Sequence, residues 1–180
     1  MDDGAGEQVL KGPVADVLCP VRGGVLALLD RPMFGLSDIE LLDSIRSARQ
    51  LRAAVEALDL SLLAALQSRP DAVPGAAPGK VAVTFLTEAL RVSGVQAARD
   101  VRASVAVAAE SGTMPTMAAA FARGEVSREH VDVAVAAVGK LPVAVKRLVS
   151  GDGTTGLQLL DGLVTEQAKT GPAGTVEPVG

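Results

Sequence analysis

Asparagine, tryptophan and tyrosine are absent from this chain of 180 residues, and cysteine and histidine occur once each, as Cys19 and His130. A lone cysteine excludes an intrachain disulfide, and one Cys with one His cannot build a Cys/His zinc cage. No metal site and no cofactor are expected, and Cys19 reads as a small buried or half-buried thiol. Phe34, Phe85 and Phe121 are the whole aromatic complement. Ring stacking on single-stranded DNA or RNA would have only these three, and all of them read better as core. Long apolar runs are also missing: the most apolar early stretch, Val25 to Leu29, has five residues, against about 20 for a membrane span. The acidic opening MDDGAGEQ has no basic segment followed by an apolar run, so it does not read as a secretory signal. The expectation is a cytoplasmic protein without membrane association.

What is there is small and aliphatic. Apolar residues make up 48% of the chain and charged residues 21%, with a net charge of −4. This balance excludes long disordered stretches and a generally cationic surface. A core of Ala, Val and Leu suits closely packed helices, and the length suits one domain. The expected fold is therefore all-α, one long helix packed with a cluster of shorter helices between loose ends.

Residues 1–36 are broken by glycines and prolines, leaving room for one or two short helices at most in an irregular N-terminal segment. Ser37-Asp38-Ile39-Glu40 has the form of a capping box, opening a long helix to Gln67 within 37–69. Along it Leu41, Ile45, Ala48, Leu51, Val55, Leu58, Leu62 and Ala65 recur in steps of three or four. They form a narrow seam like that of a coiled coil, fit for self-association or for packing within the monomer. The Pro/Gly-rich stretch 70–80 is a linker, and 81–169 reads as a helical cluster of the same domain. Its helices are expected at 80–91 (with a short strand open at its start), 95–110, 115–123, 128–138, 142–149 and 157–168, and 170–180 as a flexible tail. Ser93-Gly94-Val95-Gln96 is a second capping box, and Gly124 suits a left-handed helix end.

Three places carry candidate chemistry. Gly151-Asp152-Gly153-Thr154-Thr155-Gly156 is a literal G-x-G-x-x-G, the spacing with which a nucleotide-binding enzyme cradles a pyrophosphate at a helix N-terminus. It lacks a clear preceding strand, and a plain glycine loop between helices is the alternative. Ser127 and His130 stand one turn apart, as a nucleophile and base would, but Asp132 points away from the histidine, and a helix cap serves equally. Helices 80–91 and 95–110, joined by Val92-Ser93-Gly94, have the lengths of a helix-turn-helix. On the second of them Gln96, Arg99 and Arg102 fall on one side, as DNA-contacting residues or as a solvated face. Charge favours the middle of the chain for an anionic partner, since residues 80–149 carry +3 and the remainder −7.

Three segments together resemble one family: LSDIELLDSIRSARQLRAAVEALDLSLLAAL, TFLTEALRVSGVQAARDVRASVAVA and MPTMAAAFARGEVSREHVDVAVAAVGKLP. An alanine-rich helix, a stretch of the form G-x-(I/V/L)-S-x-x-H and an alanine/valine helix ending in L-P are similar to the 13E12-repeat family. That family is a helical domain of unknown function common in actinobacteria. The similarity runs from about Leu26 to Ala168 and is most specific over Met114 to Pro142. The resemblance implies a helical domain usually carried ahead of a C-terminal HNH endonuclease module. Such a module needs several histidines and usually an Asn on a ββα unit. With one His and no Asn, no catalytic residue carries over. The reading is a non-catalytic, DNA-associated helical domain, either a truncated copy of a longer nuclease or a stand-alone protein. A purely structural or oligomerisation module is the alternative.

Overall fold

Helix, not strand, is the only regular element in the computed structural model, which describes residues 12–108 and 111–173. Eight helices lie among these residues: α1 Pro13–Leu29, α2 Asp38–Gln67, α3 Val81–Thr84, α4 Gly94–Ala106, α5 Pro115–Ala122, α6 Arg128–Lys140, α7 Val143–Lys146 and α8 Gly156–Thr170. The all-α expectation holds. Residues 1–11 of the expected irregular segment and 174–180 of the expected tail lie outside the described residues. The chain divides into two compact units, Met1–Ile45 and Arg46–Gly180.

In the first unit, α1 corrects the reading of an irregular start. It runs for 17 residues through Pro20, although Pro20 has no N–H to donate and a proline inside a helix costs about 3 kcal/mol. Pro13 sits in the first turn, where its fixed φ favours the helix. Val14, Val17, Val21, Val25 and Leu28 recur at helical spacing, and all five are exposed. No residue of α1 is buried. Cys19 is exposed, as is Phe34 at 93%, so neither is the core residue expected of it. The box at Ser37 forms: its N–H donates to Glu40 Oε2 at 2.8 Å, and the Glu40 N–H returns to Ser37 Oγ at 3.4 Å.

The second unit holds the core. Phe121, Leu60, Met114, Met117, Val81 and Val131 are its largest fully buried hydrophobic side chains, set among alanines 82, 97, 103, 120 and 134. Phe85 is exposed, so Phe121 alone supplies a buried ring. Helix α2 enters this core by Ala53, Leu60 and Leu63, not by the expected seam. Leu51, Val55 and Leu62 of that seam stay 41–43% exposed. At about 100° per residue the two stripes lie on opposite sides of one helix. The inward side carries two leucines and one alanine, so side-chain size does not separate the two stripes.

The linker is a run of turns closed by Gln67, whose Nε2 donates to the Gly79 carbonyl at 2.6 Å while its Oε1 accepts the Ala82 N–H at 3.0 Å. Helix α3 continues through a π-helical turn, Phe85–Ala89, so no strand forms there. Arg91 then takes a left-handed φ of 58° to start the turn into α4. Helix α4 ends at Ala106, short of the expected Glu110, which lies outside the described residues. Ser93 caps α4, but Gln96 turns forward to Asp100, so only half of the second box forms.

Gly124, with φ +71°, ends α5 and meets α2. A Cβ there would sit 2.8 Å from Gln50 Cα, so the position needs glycine both for its dihedral and for the contact. The other end of α5 is capped from a distance. Met114, at its N-cap, has no oxygen to offer, and Asp161 of α8 accepts the Thr116 N–H at 2.7 Å and the Met117 N–H at 3.0 Å. The buried carboxylate meets the positive end of α5. Asp161→Ala strands the buried Met117 N–H and the part-buried Thr116 N–H and should cost about 2–4 kcal/mol in urea unfolding, with Asp161→Asn in between. A loss below about 0.5 kcal/mol for the alanine variant would show that α5 finds its cap elsewhere.

Candidate functional site

The proposed DNA-contacting residues sit on α4 beside a knot of charge shared with α6. Arg128 of α6 lies between two carboxylates, with one guanidinium N–H on Asp100 Oδ1 at 2.6 Å and its Nε on Asp132 Oδ1 at 3.2 Å. Burial works against the Arg128 charge. The hydrogen bond to Asp100 and the charge of Asp132 outweigh that and hold its pKa above the ordinary value. Arg99 reaches across from α4 to Asp132 Oδ2 at 2.9 Å, and Gln96 Nε2 donates to Asp100 Oδ1 at 2.8 Å. The two acids are covered, at 14% and 9% side-chain exposure, while Arg99 remains 48% exposed.

The three predicted residues are therefore placed as follows. Gln96 and Arg99 share the network, and Arg102, one turn beyond Arg99, is exposed and makes no ion pair among the described residues. Arg99 and Arg102 border a shallow recess of about 530 Å³ between α4 and α6, floored by Val133, Val135 and Ala136. Lys146 of α7 donates to the Gly139 carbonyl at 3.4 Å on the edge of that recess. Positive charge thus stands outermost, over acids that are already paired.

His130 is spent on structure. Its Nδ1 accepts the Ser127 N–H at 3.1 Å and lies 2.8 Å from Ser127 Oγ, which closes a capping box at the start of α6. Accepting a backbone N–H at Nδ1 places the ring proton on Nε2, which donates to the Gly171 carbonyl at 3.0 Å. Asp132 faces Arg99 and Arg128, so no carboxylate orients the imidazole as a catalytic triad would require.

Residues 40–155 match the family described as a domain of unknown function, DUF222. The chain belongs to that family. No curated protein and no solved structure matches it. The matched stretch holds α4, α6 and their charge network, whereas α8, with the Asp161 that caps α5, lies beyond it.

In this DUF222 chain the G-x-G-x-x-G is a turn into α8. Asp152 Oδ1 accepts the Thr154 N–H at 3.0 Å and the Ser150 hydroxyl at 2.9 Å, bonds that hold its carboxyl below the ordinary value. At the N-terminus of α8 the Gly156 N–H goes to the Leu148 carbonyl at 2.6 Å and the Gln158 N–H to Thr155 Oγ1 at 3.2 Å. An ionised carboxylate in the turn and N–H groups already engaged do not make a phosphate cradle. Among the described residues, no three of His, Cys, Asp and Glu stand close enough to hold a metal ion.

Sequence reasoning missed Arg128 and Asp100, and weighed Asp132 only as a triad acid. The signal available was the Arg128/Asp132 spacing of four, which places opposite charges on one helix face. The two arginines of the site should behave differently on removal. Arg128→Ala leaves two covered carboxylates without their shared partner and should cost on the order of 3 kcal/mol, whereas Arg102→Ala should stay within about 0.5 kcal/mol of the parent. Chemical denaturation of both variants tests this, and equal losses would contradict the assignment of roles.

Proposed function

We propose that this DUF222 chain is a non-catalytic helical domain that docks on duplex DNA through α4 and serves as the DNA-facing companion of a nuclease module. One observation carries the reading: exposed Arg99 and Arg102 stand one turn apart on α4, above acids whose charge Arg128 and Arg99 already neutralise. A phosphate approaching this edge meets Arg102, which has no ion pair among the described residues, and the exposed side of Arg99. The +3 balance of residues 80–149 in a chain of net charge −4 favours the same face. The nuclease companion and an actinobacterial, cytoplasmic setting rest on the resemblance to the 13E12-repeat family. The absence of catalysis rests on the use of His130 as a helix cap, together with the lack of Asn.

With two phosphate contacts, affinity should fall about tenfold between 50 and 200 mM salt, since each contact contributes a log–log slope of about −0.9. Filter retention of duplex DNA by the intact chain across that range, with and without Mg²⁺, tests the proposal. Retention should fall with salt and should be lost in Arg99→Ala/Arg102→Ala, and the DNA should stay uncut. Failure to retain DNA even at low salt would end the DNA reading, and metal-dependent cutting would end the non-catalytic one.

A further inference from the structure

Among the described residues of the second unit, one surface of α2 has no partner. Leu51, Val55 and Leu62 lie on the opposite side of the helix from the buried Ala53 and Leu60, each of them more than 40% exposed. Beside them a groove of about 490 Å³ opens between α2 and α5, with Leu58 on one wall and Ala118, Ala119 and Ala122 on the other. Long aliphatic ridges and an alanine-lined hollow therefore adjoin on one patch, the condition for a self-complementary contact about a two-fold axis.

We infer that this face binds a second copy of the chain, α2 against α2 and antiparallel. The register follows from the spacing. Within the second unit, Ala48, Leu51, Val55, Leu58, Leu62 and Ala65 alternate steps of three and four without interruption, as a and d positions do. Running the helices antiparallel with Val55 opposite Leu58 of the other copy also sets Leu51 opposite its Leu62 and Ala48 opposite its Ala65, so every layer is filled.

Charge selects the direction. Arg52 and Asp59 follow Leu51 and Leu58 along one flank of the seam, whereas the opposite flank carries Ser47, Ala54 and Ser61. A parallel pairing would set Arg52 against those small neutral residues. The antiparallel pairing sets Arg52 of each copy against Asp59 of the other, twice per dimer. Asp59 makes no ion pair within 4 Å on its own chain among the described residues, and partial desolvation followed by the nearby Asp100 charge pushes its carboxyl above the ordinary value. A guanidinium from a second copy would relieve both effects. Arg52 gives its Nε to Glu56 at 2.9 Å and keeps its terminal N–H groups for such a contact.

Sedimentation equilibrium of the full chain at tens of micromolar, with helix content checked by circular dichroism, tests the proposal. The mass should be twice that of one chain. Leu51→Lys/Leu62→Lys, at exposed positions, should give a monomer of unchanged helicity. Arg52→Glu and Asp59→Arg should each weaken the dimer about tenfold or more, and the double exchange should restore most of the loss. A monomeric mass at the highest concentration would overturn the proposal. So would a dimer indifferent to the leucine pair, or a double exchange no tighter than its single parents.

Discussion

With one buried ring to fill it, the core of the second unit has to be cohesive by closeness. Its interior positions are largely Ala and Val, and Phe121 with Leu60, Leu63, Leu86 and two methionines supplies the bulk. Dispersion between small side chains is effective only when backbones approach, because a gap of even an ångström forfeits much of each contact. Gly124 against Gln50 is the clearest case, since a methyl group there would collide with the backbone of α2. The same closeness leaves little room for water at helix ends, so their polar groups must be met by protein. Asp161 meets α5, Gln67 meets the start of α3, and Thr155 with Gln158 meets α8. No buried side-chain nitrogen or oxygen among the described residues lacks a partner.

That rule extends to charge. Arg128 is covered because α4 and α6 pack together, and a covered guanidinium needs carboxylates within hydrogen-bond reach. Asp100 and Asp132 supply them, and the excess acid recruits Arg99 from the rim. The exposed cationic edge is in this sense a by-product of the packed interior: two acids bind Arg128 and hold Arg99, and Arg102 beyond them faces solvent. On the proposed reading, the ion pair that holds Arg99 would lower the ordering cost of an encounter with phosphate.

Features that depend on neighbours in sequence were legible from the residues alone. The box at Ser37, the cap at Ser127, the helix break at Gly124 and the all-α class each need only a few adjacent positions. Features that depend on distant neighbours were not. Asp161 caps a helix 44 and 45 residues earlier in the chain, and no local pattern announces that. Helix α1 was missed for the opposite reason: Pro20 and the paired glycines are strong local signals, and the helix runs through them. The candidate arginines were found by face, but their partners on α6 needed the tertiary structure.

Helix α2 shows how an argument from periodicity can find the right pattern and give it the wrong role. The leucine seam is the more hydrophobic stripe, and hydrophobicity alone would bury it. Two stripes compete for one core, however, and the side that enters it is carried by Ala53, Leu60 and Leu63. One stripe is buried, and the other, with Leu51, Val55 and Leu62, is left outside. A row of leucines and valines held at coiled-coil spacing is costly to leave in water, by about 25 cal/mol for every Å² that could be covered. The stripe that the fold cannot use is thus the one with most to gain from a second chain, and its regular spacing suits another helix better than an irregular surface.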